Sequence, residues 1–198
     1  MKTIEVLCNE LTTGATNALF EKSAQNTEDA LHLLTGSSLN SNGEIIQQQL
    51  GTITLKEGKD VQRFLLQEGD VVLLAKGNSI RAGYVTASIA KLNVVASANF
   101  ILLRPRNNEL LGEVLVAFFN SPEGQSLLDA TSTGATIKNI SLSNIKKLEI
   151  AMPELSKQHE IAELFHASNQ AYQSTINLAE QQKRVATACI SQLMKGAA

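Results

Sequence analysis

Cysteine is scarce: the 198 residues hold two, Cys8 and Cys189, one near each end. Neither belongs to a CxxC pair, which excludes a disulfide framework and a cysteine-rich zinc site and points to a reducing compartment. Long apolar runs are also missing. No stretch reaches transmembrane length. Met1 to Glu10 carries Glu5 and Glu10 and no apolar core, so it does not read as a signal peptide, and the expected location is the cytoplasm. Catalytic motifs are absent as well: there is no GxSxG elbow, no phosphate-cradling GxxxxGK loop and no GxGxxG after a strand. His159 and His166 are seven residues apart, not at the four-residue spacing of a helical zinc pair. Glu113, Glu123 and Asp129 fall where amphipathic helices keep their solvated faces. Neither a catalytic residue nor a cofactor or metal is expected, and the chain does not read as an enzyme.

Proline does not recur after Pro153, and glycine is missing from Ser156 to Lys195. Over that stretch Ile161, Phe165, Ser168, Tyr172, Thr175, Ala179, Gln182, Ala186, Cys189 and Leu193 alternate four and three residues apart, a coiled-coil period. Leu164, Ala171, Leu178 and Val185 widen this seam. Lys157, Glu160, Glu163, Gln170, Gln173, Glu180 and Lys183 occupy the opposite side. Ser156 offers an N-cap oxygen, Gln158 and Glu160 suit the first turn, and Gly196 suits the stop. A helix of that length spans about 60 Å, more than a globule of this size can bury, so it calls for a partner helix. Polar Ser168, Thr175 and Gln182 would then fix the register. The competing reading is an amphipathic helix folded back on its own domain.

With 43% hydrophobic and 18% charged residues, the chain has the composition of an ordinary globular protein and is not disordered. Its net charge of −2 conceals an uneven distribution. Residues 1–70 hold ten acids and five bases, whereas residues 71–108 hold Lys76, Arg81, Lys91, Arg104 and Arg106 and no acid. Such a basic island is either an electrostatic footprint for an anionic partner or a chance cluster on a solvated face.

Taken in order, Ile4–Leu7, Glu44–Gln48 and Gly51–Leu55 are candidate short strands, and residues 11–17 and 35–43 read as loops. Val71–Ala75 reads as a buried strand, with further strands over Tyr84–Ala90 and Asn93–Leu103. Helices follow over Leu110–Phe119 and from Pro122 to Asp129. Ile137–Ile140 looks extended, Ser141–Lys147 makes a helical turn, and Leu148–Met152 a last strand. Irregular interspersion of this kind favours an α+β globular domain over residues 1–155, followed by a long coiled-coil helix over 156–198.

The chemistry left is recognition. Loops of Ser, Thr, Asn and Gly with interspersed Lys and Arg suit DNA, because the basic side chains grip guanine or phosphate and Asn pairs with adenine. Lys76–Arg81 and Thr131–Asn139 are two such loops. The order of features then becomes specific. Leu66-Gln67-Glu68-Gly69-Asp70, running into Val71–Asn78, resembles an element of Type I restriction-modification specificity subunits. Val95–Pro105 is similar to their next strand, and Thr133–Ile140 to the loop and strand closing their target recognition domain. Leu148–Ala162, with its Pro153-Glu154-Leu155 and Gln158, resembles the entry into their long helix. Residues 1–65 carry no motif that matches.

The resemblance implies a non-catalytic DNA-binding subunit serving host defence. Family members carry two target recognition domains, each followed by a long helix, the helices packed antiparallel. This chain has one of each and is similar to half a subunit, which implies a homodimer reading a bipartite DNA site. The implied partners are double-stranded DNA, an adenine methyltransferase subunit and in some systems a restriction subunit. The alternatives are the specificity subunit of a Type II restriction-methylation enzyme and a helical scaffold unrelated to DNA. The residues expected at DNA are Lys76, Gly77, Asn78 and Arg81 on the first loop, Ser97 and Asn99 on the strand, and Thr133, Gly134, Thr136 and Lys138 on the second loop. Those expected at the partner helix are Ile161, Leu164, Phe165, Tyr172, Leu178, Val185 and Leu193.

Overall fold

The computed structural model describes residues 1–21, 31–134 and 137–196. Its elements begin with β1 (Lys2–Thr3), α1 (Ile4–Leu7), β2 (Cys8–Thr13), β3 (Leu31–Leu34) and β4 (Gly51–Ile53). There follow β5 (Val71–Leu74), β6 (Lys76–Gly77), β7 (Arg81–Tyr84), α2 (Ala87–Ala90), β8 (Val94–Ala96) and β9 (Phe100–Pro105). The chain then runs through α3 (Gly112–Asn120), α4 (Pro122–Thr131), β10 (Lys138–Asn139), α5 (Leu142–Lys147), β11 (Glu149–Ile150) and α6 (Leu155–Gly196). The fold is α+β. By contacts the chain divides into two units, Met1–Ala162 and Glu163–Ala198.

Within the first unit β2, β9, β5 and β7 form a four-stranded antiparallel sheet in that order. A second sheet places β3 between antiparallel β4 and parallel β8. Strand β5 has neighbours on both sides and is buried on both faces, which is why it reads as an unbroken apolar run. Its alternation sends Val72 and Leu74, with Phe100 and Leu102 of β9, into a core shared with Leu34, Val94 and Ala96 of the second sheet. Val95, one step out of phase in β8, joins Ala15, Phe20, Val61 and Phe64 in another cluster. Helix α3 ends on Asn120, whose amide accepts from Ala82 N (2.8 Å) and donates to Ala82 O (2.9 Å). Ser121 then caps α4, with Pro122 at its first position.

Several expectations are corrected by the structure. Ile4–Leu7 is a helical turn, and β2 runs over Cys8–Thr13, so residues 11–13 of the stretch read as a loop are strand. Glu44–Gln48 is no strand; Gln47–Gln49 is a 3-10 turn. The strand expected over Tyr84–Ala90 ends at Tyr84, where Thr86 caps the short α2. The one expected over Asn93–Leu103 is two, β8 and β9, separated by a turn at Ala98-Asn99.

Helix α6 begins at Leu155, one residue before the N-cap expected at Ser156. Gln158 does not serve this helix's own N–H groups. Its side chain is buried, accepts from Leu111 N (2.9 Å), and donates to Glu109 O (2.9 Å) and Pro153 O (3.0 Å). All four hydrogen-bonding valences of a primary amide cannot be met so deep inside by water, so one glutamine satisfies the backbone at the start of α3 and at the start of α6 together. This explains why the first turns of α6 belong to the first unit.

The second unit is helix throughout its described length. Leu164, Tyr172, Leu178, Val185 and Leu193 are exposed there, and so are Ile176, Ile190 and Met194. Among the described residues, no helix is long and apolar enough to cross a membrane.

Candidate nucleic-acid interface

The two loops singled out in the sequence come together. Residues 76–77 and 138–139 pair as antiparallel β6 and β10, Lys138 opposite Gly77 and Asn139 opposite Lys76. Ile140 N donates to Ala75 O (2.9 Å), which extends the ladder into the end of β5. A third segment joins them: the carbonyl of Asn99 accepts from Ala75 N (2.9 Å) and Lys76 N (3.2 Å). The second loop is closed by Thr133 and Asn139, which exchange backbone hydrogen bonds of 2.9 Å in both directions.

The glycines have distinct reasons. Gly134 takes φ +92 where a side chain would collide with Ile137 O, so the turn requires it. Gly77 has room for a side chain, its nearest neighbours lying at 3.9 Å, but holds φ +155.

Lys76, Asn78, Asn99, Thr133 and Asn139 are exposed on this rim, and Lys138 is half-buried with its ammonium on Asp129 Oδ1. Asn139 was missed by sequence reasoning although it lies inside the Thr133–Ile140 stretch. Its exposure follows from β10 alternation, which the short segment does not reveal alone. Ser97 is buried, and its hydroxyl has no hydrogen-bond partner among the described residues. Thr136 lies outside the described residues.

Arg81 has other employment. Its Nη2 donates to Gly36 O (2.5 Å), Nε to Leu39 O (3.0 Å) and Nη1 to Ser79 Oγ (2.7 Å). Partial burial lowers its pKa. The guanidinium braces the 36–39 turn against β7.

The basic island is accordingly not one patch. In the four-stranded sheet Leu74 lies opposite Phe100 and Val71 opposite Leu103, so Lys76 and Arg104 leave at opposite ends. Arg104 is committed to Asp70 (Nε–Oδ1 2.8 Å) and Glu10 (Nη1–Oε2 2.7 Å). At the Lys76 end, Thr13 closes β2 opposite Ile101 and borders a cleft of about 410 Å³. The cleft is lined by Thr13, Gly14, Thr16, Leu19, Asp60, Arg63 and Phe64. Sequence reading gave these residues no role, since strand pairing over long separations is what gathers them.

The rim is made of small polar side chains and two lysines. It can hold a charged, hydrogen-bonding polymer. Known structures share this fold. The S subunit of a Type I restriction-modification system from M. genitalium matches with a TM-score of 0.57 at 18% identity, over 92% of this chain and 42% of that one. The HsdS subunit from Thermoanaerobacter tengcongensis matches with a TM-score of 0.58 at 16% identity, over 92% and 45%. A chain from a structure of Type I restriction-modification complex assembly and conformational transition matches with a TM-score of 0.59 at 18% identity, over 92% and 45%. This chain therefore spans less than half the length of these solved relatives. Among curated proteins no sequence matches. The family model for the Type I restriction modification DNA specificity domain covers residues 9–185, and so reaches well into the N-terminal stretch that carried no legible motif. Spanning both the rim and most of α6, that match means the chain belongs to the Type I restriction modification DNA specificity domain family.

Proposed function

We propose that this chain is a non-catalytic DNA sequence-specificity subunit with a single target recognition domain, residues 1–155, and that two copies pair through the helix of residues 156–198. One observation carries the reading. The family match spans the recognition-type unit and most of α6, and that helix leaves Leu164, Tyr172, Leu178, Val185 and Leu193 exposed. A second copy of the helix would cover that seam. The dimer then presents two identical readers to double-stranded DNA and directs an adenine methyltransferase, with a restriction subunit in systems that have one.

The spacing of α6 supports an antiparallel pair. Residues from Leu155 to Thr175 carry Lys157, Glu160 and Glu163, net −1, and those from Ile176 to Gly196 carry Glu180, Lys183, Arg184 and Lys195, net +2. An antiparallel partner lays unlike halves together, and a parallel one lays like on like. In antiparallel packing the two seam positions face each other, which sets Phe165 against the partner's Cys189, Tyr172 against the partner's Gln182 and Leu193 against the partner's Ile161. The symmetry axis falls at Asn177, with Ile176 and Leu178 each close to its own copy.

On the DNA, Lys76 and Lys138 are positioned for phosphates, and Asn78, Asn99, Asn139 and Thr133 for base edges or sugar. Gly77 and Gly134 shape the turns that carry them, while Arg81 and Ser97 act from beneath the rim. In the complex with its methyltransferase, Lys76→Ala combined with Lys138→Ala is expected to weaken specific and non-specific DNA equally. Each lost phosphate contact should lower the slope of log K against log salt by about 1. Unchanged affinity at moderate salt would remove the rim from the interface.

A further inference from the structure

The cleft beside the rim holds the molecule's one stacked guanidinium among the described residues. Arg63 stands in the 3-10 turn Gln62–Phe64, exposed, with its guanidinium carbon 4.4 Å from the centre of the Phe64 ring. Phe64 is itself fixed, packed with Ala15, Phe20, Val61 and Val95 in a buried cluster. A stacked arginine keeps its face on the ring and its N–H edge outward, so the fork is held in orientation before any ligand arrives. Arg81 and Arg104, by contrast, are turned inward onto carbonyls and carboxylates.

The composition of the cleft decides what it suits. Thr13 and Thr16 bring hydroxyls, and Asp60 brings a carboxylate whose Oδ1 accepts from Gln62 N at 2.9 Å. Among the described residues Asp60 and Arg63 form no ion pair with each other or with any other group. One fixed anion beside one fixed cation gives a cleft with no net charge. That repels a phosphate from half of the site and attracts it to the other half, so it is a poor backbone grip. A base pair asks for this mixture: guanine shows two acceptors, O6 and N7, to an arginine fork, and cytosine shows an N4 donor to a carboxylate.

We propose that Arg63 and Asp60 are specificity-determining residues that read a G·C pair in the major groove, Arg63 donating to the guanine and Asp60 accepting from the cytosine. The inference rests on the DNA-reading function proposed above. It places the Thr13–Thr16 edge and the 60–64 turn on the same DNA face as Lys76 and Asn99, at the one end of the sheet where β2 and β5 finish and β9 starts.

The test uses the full chain assembled with its methyltransferase and a library of randomised duplex DNA, from which methylated molecules are recovered and sequenced. Arg63→Ala should relax the requirement for G·C at one position of each half-site, by roughly 5- to 150-fold in discrimination, and leave the other positions and the salt slope intact. Asp60→Asn should relax that same position, and Arg63→Lys, which keeps the charge but loses the fork, should relax it too. Thermal melts equal to the wild type show that the variants fold. A uniform loss over all sequences with a shallower salt slope would make Arg63 a phosphate contact and overturn the proposal. An unchanged motif for Arg63→Ala and Asp60→Asn would overturn it as well. A wild-type complex that recovers no motif at all would instead refute the DNA-reading function on which it stands.

Discussion

Replacing Arg104 with alanine is expected to cost the first unit about 3–5 kcal/mol, the range for breaking a buried ion pair from one side. The reason is the partner left behind. Asp70 is 1% exposed at its side chain and is held by Arg104 through both oxygens, Oδ1 to Nε at 2.8 Å and Oδ2 to Nη2 at 3.0 Å. Its other bond, from Gln67 N at 2.8 Å, ties the turn that launches β5. Burial already lifts the Asp70 pKa above its ordinary 3.8, against the lowering effect of Arg104 and Gln67. Without Arg104 a carboxylate lacking its counter-ion would stay inside, with the Glu10 charge acting against it.

A carboxyl group whose folded pKa is raised binds its proton more tightly when folded, so folding gains as pH falls through that pKa toward 3.8. The deficit of Arg104→Ala is therefore expected to shrink between neutrality and that value. Urea denaturation at several pH values measures it, and a domain of this size should lose roughly 6–20 °C in Tm at neutral pH. Arg104→Met with Asp70→Leu should cost less than Arg104→Ala alone, because no lone charge is then buried. A surface pair would show neither behaviour, its loss being worth about 1 kcal/mol or less.

Phe165→Cys is expected to produce a covalent dimer under mild oxidation. In the proposed antiparallel register position 165 faces the partner's Cys189, so two symmetric disulfides would close around the axis at Asn177. The native chain is suited to the experiment. Cys189 is exposed, while Cys8 is buried and its thiol is pushed up to about 12, which leaves it protonated and unreactive. Wild-type chain should stay uncrosslinked, since the two copies of Cys189 lie near opposite ends of the paired helices. Adding Cys189→Ala to Phe165→Cys should abolish the link. A parallel, in-register pair would instead join Cys189 to the partner's Cys189 in the wild type. Non-reducing gel electrophoresis distinguishes these results.

What was legible in the sequence was whatever a residue's near neighbours decide. The buried β5 announced itself because all four of its side chains are covered, and α6 because its seam repeats from Ile161 to Leu193. Pro122 marked the break between α3 and α4 by chemistry that is local. Strand β3 gave no such signal: its parallel neighbour β8 lies some sixty residues on, and its four residues are too few to show alternation. Ile4–Leu7 is one helical turn, too short for its period to differ from a strand's. The break at Ala98-Asn99 was hidden because Val94–Ala96 and Phe100–Leu103 are both apolar, and only the structure shows them in different sheets.

The candidate site divides along the same line. The Lys76 and Thr133–Lys138 loops were recognisable by composition, and the long-range pairing of β6 with β10 then brought them together. Arg81 and Arg104 looked like their equals in the sequence. A guanidinium aimed at Gly36 O and Leu39 O, or at Asp70, has the same letter as one aimed at solvent, and only the fold assigns its partner. Arg63 illustrates the converse, an arginine in an acidic stretch that the fold brings into one cleft with Thr13 and Thr16.

Mapping adenine methylation in a host that carries this chain with its methyltransferase tests the central claim most directly. Two identical heads related by a two-fold axis should mark an interrupted motif whose halves are the same sequence on opposite strands. A motif with two different halves, or no modification with both proteins present, would contradict it.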